Sequence, residues 1–96
     1  MRPSEALARN RDKVLEILAR YPVKNPRVFG SVARGEDTED SDLDLLVEKA
    51  GPLTYPDIIG IQSEIGAAIG TKVGIHTRGE FAERSLRRID ADAREL

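Results

Sequence analysis

The stretch of residues 27–48 reads RVFGSVARGEDTEDSDLDLLVE and predicts the central part of the structure. Its first part, Arg27–Phe29, is short and β-prone and leads into the glycine-serine turn Gly30-Ser31. Its last part, Asp42–Glu48, alternates polar and apolar residues and then becomes continuously apolar, which is typical of a strand whose far end is buried on both faces. The stretch therefore predicts two strands with a glycine turn between them.

An acidic pair lies at the start of the second strand. Asp42 and Asp44 are two positions apart, so on a strand their carboxylates point to the same face. Read alone, the pair indicates only two solvated carboxylates at a strand edge. Like charges held close together are, however, stabilised by a hard divalent cation, and an all-oxygen site suits Mg²⁺ that also binds substrate phosphates. We therefore expect Asp42 and Asp44 to bind the metal and to form the catalytic centre.

The glycine turn supplies the complementary half of such a site. Gly30 allows the backbone to approach a ligand closely, and the Ser31 hydroxyl with the amides of a short helical turn, Val32–Arg34, can face phosphate oxygens. Arg34 either neutralises a phosphate or solvates the turn, and both interpretations stay open. The two halves together predict a site for a metal-bound nucleoside triphosphate.

Two other motifs fail on the residues themselves. The spacing of Gly30 and Gly35 is that of a Walker A loop, but Glu36 and Asp37 stand where Lys and Ser or Thr are required. A Ca²⁺-binding loop that starts at Asp40 would need glycine where Leu45 stands. Neither a P-loop nor an EF-hand is predicted.

Helices and one more strand are predicted around this stretch. Apolar residues at helical spacing predict a first helix over Met1–Tyr21, and a second helix starts at the capping residue Thr54 and ends at Gly70. Lys72–Thr77 has the alternation of a third strand. A last helix is expected over residues 80–96, with an apolar seam that packs on the sheet, on a partner or on a second copy of the chain: Ala82, Leu86, Ile89, Ala93 and Leu96.

Composition limits the function classes. A chain of 96 residues with 40% hydrophobic content is expected to form one small domain over residues 1–96. Fifteen basic and 17 acidic residues give a net charge of -2, so binding to nucleic acid is not expected. The chain has no cysteine and no apolar run of membrane-spanning length. We therefore expect a cytoplasmic protein without a membrane contact.

The two motifs, Gly30–Gly35 and Ser41–Val47, resemble the signature of the polymerase-β-type nucleotidyltransferase superfamily, and the small size resembles its minimal nucleotidyltransferase (MNT) subfamily. The resemblance implies an α/β (α+β) fold with a small mixed sheet flanked by helices, ATP as substrate and Mg²⁺ as cofactor. It implies that the triphosphate contacts Gly30 and Ser31 and that two metal ions bind Asp42 and Asp44. Arg34 and Ser41, within the same two motifs, are further candidate nucleotide-binding residues. It further implies an antitoxin whose partner is a HEPN-type toxin, neutralised by AMP transfer.

The chain departs from this pattern at one position. The superfamily normally supplies a third carboxylate from the later strand, where this chain has Gly74. Gly74 would therefore limit catalysis, and His76, on the same face, is interpreted more readily as a surface or packing residue than as a substitute. Three hypotheses stay open: an active enzyme that modifies a protein partner, a degenerate relative that neutralises a toxin by occlusion, and a free-standing enzyme for small molecules. The third is disfavoured because 96 residues leave no second domain to recognise a small acceptor.

Overall fold

The strands are β1 (Val23–Phe29), β2 (Leu43–Lys49), β3 (Val73–His76) and β4 (Arg94–Glu95). They form a mixed sheet in the order β3-β2-β1-β4. A computed structural model describes all residues from 1 to 96. β2 pairs parallel with β3, whereas β1 pairs antiparallel with β2 and with β4. The predicted α/β fold with a small mixed sheet is confirmed.

Five α-helices and one 3₁₀ turn surround the sheet. Thr54 caps the longest helix, because its side chain accepts a hydrogen bond from the Asp57 amide at 3.2 Å, and Gly70 ends the helix with a φ of 71°. No helix is both long enough and apolar enough to cross a lipid bilayer. The helices are α1 (Pro3–Arg9), α2 (Arg11–Leu18), α3 (Ser31–Arg34), α4 (Tyr55–Ile69) and α5 (Glu83–Asp92), and the 3₁₀ turn is Arg78–Glu80.

The alternation of β2 separates two apolar clusters. Leu43, Leu45 and Val47 are fully buried in the main core, on the sheet face that α1, α2 and α4 cover. Leu46 points to the other face and packs with Phe29 and with Ile89 of α5. The run Leu45–Val47 of β2 is therefore buried on both faces, as its apolar residues predict. The same alternation places Asp44 on the second face, which only α5 and the 3₁₀ turn partly cover.

The first helix is divided, where the sequence predicts one helix over Met1–Tyr21. α1 ends at Asn10, whose side-chain amide donates to the Ala6 carbonyl at 2.8 Å and so takes the acceptor that its own backbone amide would use in a continuous helix. The Asn10 amide instead contacts the Leu7 carbonyl at 3.1 Å. The local side-chain hydrogen bond explains why the chain turns here.

The last segment also differs from the predicted helix over residues 80–96. Residues 78–80 form the 3₁₀ turn, and α5 ends at Asp92, before the extended residue Ala93. The chain then pairs with β1, with Arg27 opposite Glu95, so that β4 covers backbone groups at the edge of β1. Strand pairing over this short segment replaces the last helical turn. The predicted seam is thereby divided, because Ala93 packs with the Phe29 cluster and Leu96 packs against the main core.

The first strand starts earlier than predicted. β1 begins at Val23 and contains a bulge between Lys24 and Arg27, where Asn25 adopts a φ of 50°. Pro26 lacks a backbone donor, and this suits a position in the irregular part of a strand. Because the bulge interrupts the alternation of side chains, the sequence pattern does not predict the first part of this strand.

Candidate functional site

The glycine turn and the acidic strand meet at one point. Phe29, the last residue of β1, is paired with Asp44 of β2, and Gly30 follows it with φ 76° and ψ -153°. Residues with a side chain rarely adopt this backbone conformation. A Cβ atom at residue 30 would also lie 3.4 Å from Asp44 Oδ2. Glycine therefore allows the turn, from which α3 starts, to lie directly against the Asp44 carboxylate.

The parallel pairing of β2 with β3 adds Gly74 and His76 to this point. Asp44 is paired with Gly74, two positions before His76 on the same face of β3. A Cβ atom at residue 74 would lie 3.2 Å from Asp44 Oδ1 and only 2.8 Å from His76 Nε2. The imidazole therefore occupies the space into which a side chain at residue 74 would extend.

His76 is held on several sides. Its Nε2 atom lies 3.3 Å from Asp44 Oδ1, and its Nδ1 atom lies 3.5 Å from Glu80 Oε1. The rings of Phe29 and Phe81 flank the imidazole, with centroid distances of 5.5 and 5.6 Å. The hydrogen bond to Asp44 raises the pKa of His76 above its ordinary value, and burial opposes this effect. The sequence places His76 on the same face as Gly74 and favours a surface or packing role, whereas the structure shows its contacts with Asp44 and Glu80.

Asp42 precedes β2 and is exposed. No set of three or more His, Asp or Glu side chains converges closely enough to hold a metal ion. Two carboxylates with the phosphate oxygens of a nucleotide fit the way in which Mg²⁺ is commonly bound. The assignment of Asp42 and Asp44 as metal ligands therefore concerns a cation that would arrive with its nucleotide, and it stays a prediction.

Arg34 and Ser41 form contacts within the chain. Arg34 donates to Glu36 at 2.7 Å and to Asp92 of α5 at 2.6 Å, and hydrogen bonds to these two carboxylates raise its pKa. The Ser41 hydroxyl accepts a hydrogen bond from the Thr38 amide at 2.9 Å and closes the loop before β2. The expected nucleotide contacts of both residues stay predictions.

A cleft of about 580 Å³ lies between the glycine turn and α5. Phe29, Phe81 and Ile89 provide its apolar walls, whereas Arg34 and Arg88 are polar lining residues. Its volume is in the range of pockets that hold small organic ligands. Because Gly30 belongs to the lining, the cleft adjoins the region of Asp44 and His76.

Comparisons with known proteins agree with this geometry. A model of the nucleotidyltransferase domain family matches residues 11–96. A Methanocaldococcus jannaschii protein assigned as a protein adenylyltransferase is 48% identical over 74 residues, which are 75% of this chain and 72% of that protein. A solved structure described as a minimal nucleotidyltransferase has a TM-score of 0.85 and 38% identity, covering 97% of this chain and 95% of that one.

The same fold occurs in a toxin–antitoxin complex. The solved structure of the tri-AMPylated HEPN toxin of Shewanella oneidensis with its MNT antitoxin contains a chain with a TM-score of 0.69 to this one. The match covers 92% of this chain and 69% of that chain, at 14% identity. At this identity the likeness establishes a common fold.

Proposed function

Because this chain belongs to the nucleotidyltransferase domain family and resembles its minimal members, we propose that it is an Mg²⁺-dependent adenylyltransferase that transfers AMP from ATP to a HEPN-type toxin. In this role it is the antitoxin of the pair. The observation that carries the proposal is the approach of the Gly30 turn to Asp44, where a Cβ atom would lie 3.4 Å from the carboxylate. The turn that we propose to bind phosphate therefore lies beside the carboxylate that we propose to bind the metal.

The chemistry is the displacement of pyrophosphate by a hydroxyl group of the partner. The hydroxyl oxygen forms a bond to the α-phosphorus of ATP, the bond between that phosphorus and the bridging oxygen breaks, and pyrophosphate leaves while the hydroxyl proton passes to solvent. Mg²⁺, when bound, neutralises the triphosphate and stabilises charge on the leaving group. Gly30 and Ser31 would position the phosphates, and Asp42 and Asp44 would hold the cation. These residues act mainly through positioning and electrostatics.

The partner assignment is supported by the shared fold and by the shape of the site. A relative of M. jannaschii is assigned as a protein adenylyltransferase, and the fold recurs in the S. oneidensis antitoxin. The site face is only partly covered by α5, so a second protein can approach Asp44 directly. Arg84 and Arg88, one helical turn apart on α5, are exposed and suit an acidic partner surface.

Transfer is tested with ATP carrying the label on either the α- or the γ-phosphate and with the co-expressed toxin. We expect label on the toxin from α-labelled ATP alone, and its loss in Asp44→Asn. Asp40→Asn is the matched control, since Asp40 is an exposed carboxylate in the loop just before β2 and lies outside the motif. Label from γ-labelled ATP would indicate a kinase, and equal labelling by wild type and Asp44→Asn would contradict the assigned site.

A second function, neutralisation by occlusion alone, is favoured by one observation. Residue 74 supplies no carboxylate, and no three acidic or histidine side chains form a metal cluster. In this case Asp44→Asn would still protect cells from the toxin, although no label is transferred. Loss of protection in Asp44→Asn, with complex formation retained, would support the enzymatic function.

A further inference from the structure

His76 and Asp44 present two donor atoms to the same region beside the glycine turn. His76 Nε2 lies 3.3 Å from Asp44 Oδ1. Two ligands that bind side by side to one octahedral cation, with bonds of about 2.1 Å, lie about 3 Å apart. The observed separation therefore suits two ligands of a single cation.

The other ring nitrogen of His76 faces a carboxylate. His76 Nδ1 lies 3.5 Å from Glu80 Oε1. A histidine that binds a metal commonly donates its second ring N–H to a carboxylate, which fixes the tautomer and the ring orientation. Without a cation, Nε2 donates to Asp44. With the ring proton kept on Nδ1, which faces Glu80, Nε2 would instead offer a lone pair to a cation beside Asp44. The flanking rings of Phe29 and Phe81 restrict the imidazole.

Gly74 completes the arrangement because it leaves space for the ring. A Cβ atom at residue 74 would lie 2.8 Å from His76 Nε2, closer than real contacts allow. A carboxylate at residue 74 and the observed position of His76 thus exclude each other. The chain has Gly74 at the position where the sequence pattern would place a third carboxylate. The imidazole of His76, two positions later, occupies the space that this carboxylate would need.

We propose that His76 Nε2 and the Asp44 carboxylate together bind the divalent cation that accompanies the nucleotide, so that His76 replaces a carboxylate at residue 74. This inference rests on the proposed function, because the exposed Asp42 and the phosphate oxygens supply the other ligands. Imidazole nitrogen is a good ligand for first-row transition metals, whereas Mg²⁺ prefers oxygen. The site therefore binds a cation such as Mn²⁺ more tightly than Mg²⁺.

The chain contains a single histidine, which makes a direct test possible. Untagged protein labelled with ¹⁵N-histidine is mixed with Mn²⁺ and ATP, and pulsed electron paramagnetic resonance detects nitrogen bound to the metal. The labelled nitrogen is distinguished from the ¹⁴N atoms of adenine. We expect the coupling of a directly bound imidazole. Its absence from a complex that does bind Mn²⁺ and ATP would overturn the inference.

Dissociation constants in the presence of ATP provide the second measurement. We expect His76→Ala to weaken Mn²⁺ binding by about tenfold or more and to change Mg²⁺ binding far less, with thermal unfolding as the check on folding. The double variant Gly74→Asp with His76→Ala should shift the preference back to Mg²⁺. Equal effects of His76→Ala on both metals would contradict the inference while leaving the proposed function intact. Failure of the wild type to bind ATP with either metal would instead contradict the proposed function itself.

Discussion

The Gly30 backbone and the Asp44 carboxylate are in direct apposition, with 3.4 Å between Asp44 Oδ2 and the position of a Cβ atom on residue 30. Two independent demands thus fall on residue 30. The first is its φ of 76° with a ψ of -153°, a region that residues with a side chain rarely adopt. The second is the space between the turn and the carboxylate. Gly35, at the other end of α3, shares only a positive φ, of 72°, and has no atom within 4 Å of its Cβ position.

This contrast provides a matched pair of variants. Gly30→Ala should lower the free energy of unfolding by about 1–3 kcal/mol, the usual cost of such a backbone conformation. It should also remove the increase in melting temperature caused by Mg²⁺ and ATP. Gly35→Ala should lower stability by about 1 kcal/mol and keep the ligand-induced increase. If both variants lose the ligand-induced increase, the increase depends on the conformation of α3 as a whole and not on the contact between Gly30 and Asp44.

Replacing Asp92 should release Arg34 toward the nucleotide. Arg34 forms ion pairs with Asp92 and Glu36 at the protein surface. Because ion pairs exposed to solvent are weak, each contributes little to stability. We expect Asp92→Asn to leave the melting temperature nearly unchanged and to tighten the binding of ATP with Mg²⁺, measured by calorimetry. Arg34→Gln should weaken that binding. An unchanged affinity in both variants would assign Arg34 to the turn and α5 alone.

We expect Asp37 to make a contribution to the free energy of unfolding that is lost in acid. Its side chain is buried and accepts a hydrogen bond from the Ser4 amide at 2.8 Å, which fixes the loop after α3 to the first turn of α1. Burial acts to raise the pKa of Asp37, but hydrogen bonds from Ser4 and from the Asp37 backbone, together with the charge of Arg2, outweigh burial and lower the pKa. The stabilisation is therefore present above the ordinary pKa of about 3.9 and is lost as the pH falls through the lowered value.

Asp37→Asn tests this relation. At pH 6 the variant should be less stable by about 1 kcal/mol, as for loss of a helix cap. On acidification below about pH 4 the two melting temperatures should converge, because protonated aspartic acid resembles asparagine in charge. Glu39→Asn, at an exposed position of the same loop, is the control. A difference that persists unchanged to pH 2.5 would mean that Asp37 acts through packing.

Substitutions at Ile89 and Leu86 of α5 should distinguish effects on folding from effects on association with the toxin. Ile89 is 8% exposed and packs on Phe29, whereas Leu86 is only half-buried. Ile89→Ala should destabilise the chain by about 2–4 kcal/mol. Leu86→Asp should leave it folded but abolish co-purification with the toxin. Retention of the complex by folded Leu86→Asp would remove α5 from the proposed interface.

The parts of the fold that depend on local patterns could be predicted from the sequence. The apolar run of β2, the cap at Thr54 and the stop at Gly70 are each specified by a few neighbouring residues. Breaks that depend on a side-chain hydrogen bond or on tertiary pairing could not. Asn10 binds the Ala6 carbonyl, and residues 94–95 pair with β1 although they follow a helical pattern.

The site shows the same division. The positions of Asp44 and Gly74 on one face follow from the period of a strand and from parallel pairing. The importance of His76 depends on Glu80, which reaches Nδ1 from the 3₁₀ turn, and on the ring of Phe81. A helix predicted to start at residue 80 gave no indication of that turn. The three-dimensional arrangement of residues 76–81 was therefore needed to relate the histidine to Asp44.

The parallel pairing of β2 with β3 also sets the order in which the molecule can be assembled. Asp44 and His76 are 32 positions apart in sequence, and they become neighbours only after the chain has passed through α4 and returned to the sheet. Closing such a connection costs entropy before its contacts are gained, so parallel pairing forms slowly during folding. A ligand held by both strands has no complete site on the partly folded chain. Such a ligand would therefore slow unfolding, because it delays the separation of β2 from β3. It would not guide the first steps of folding.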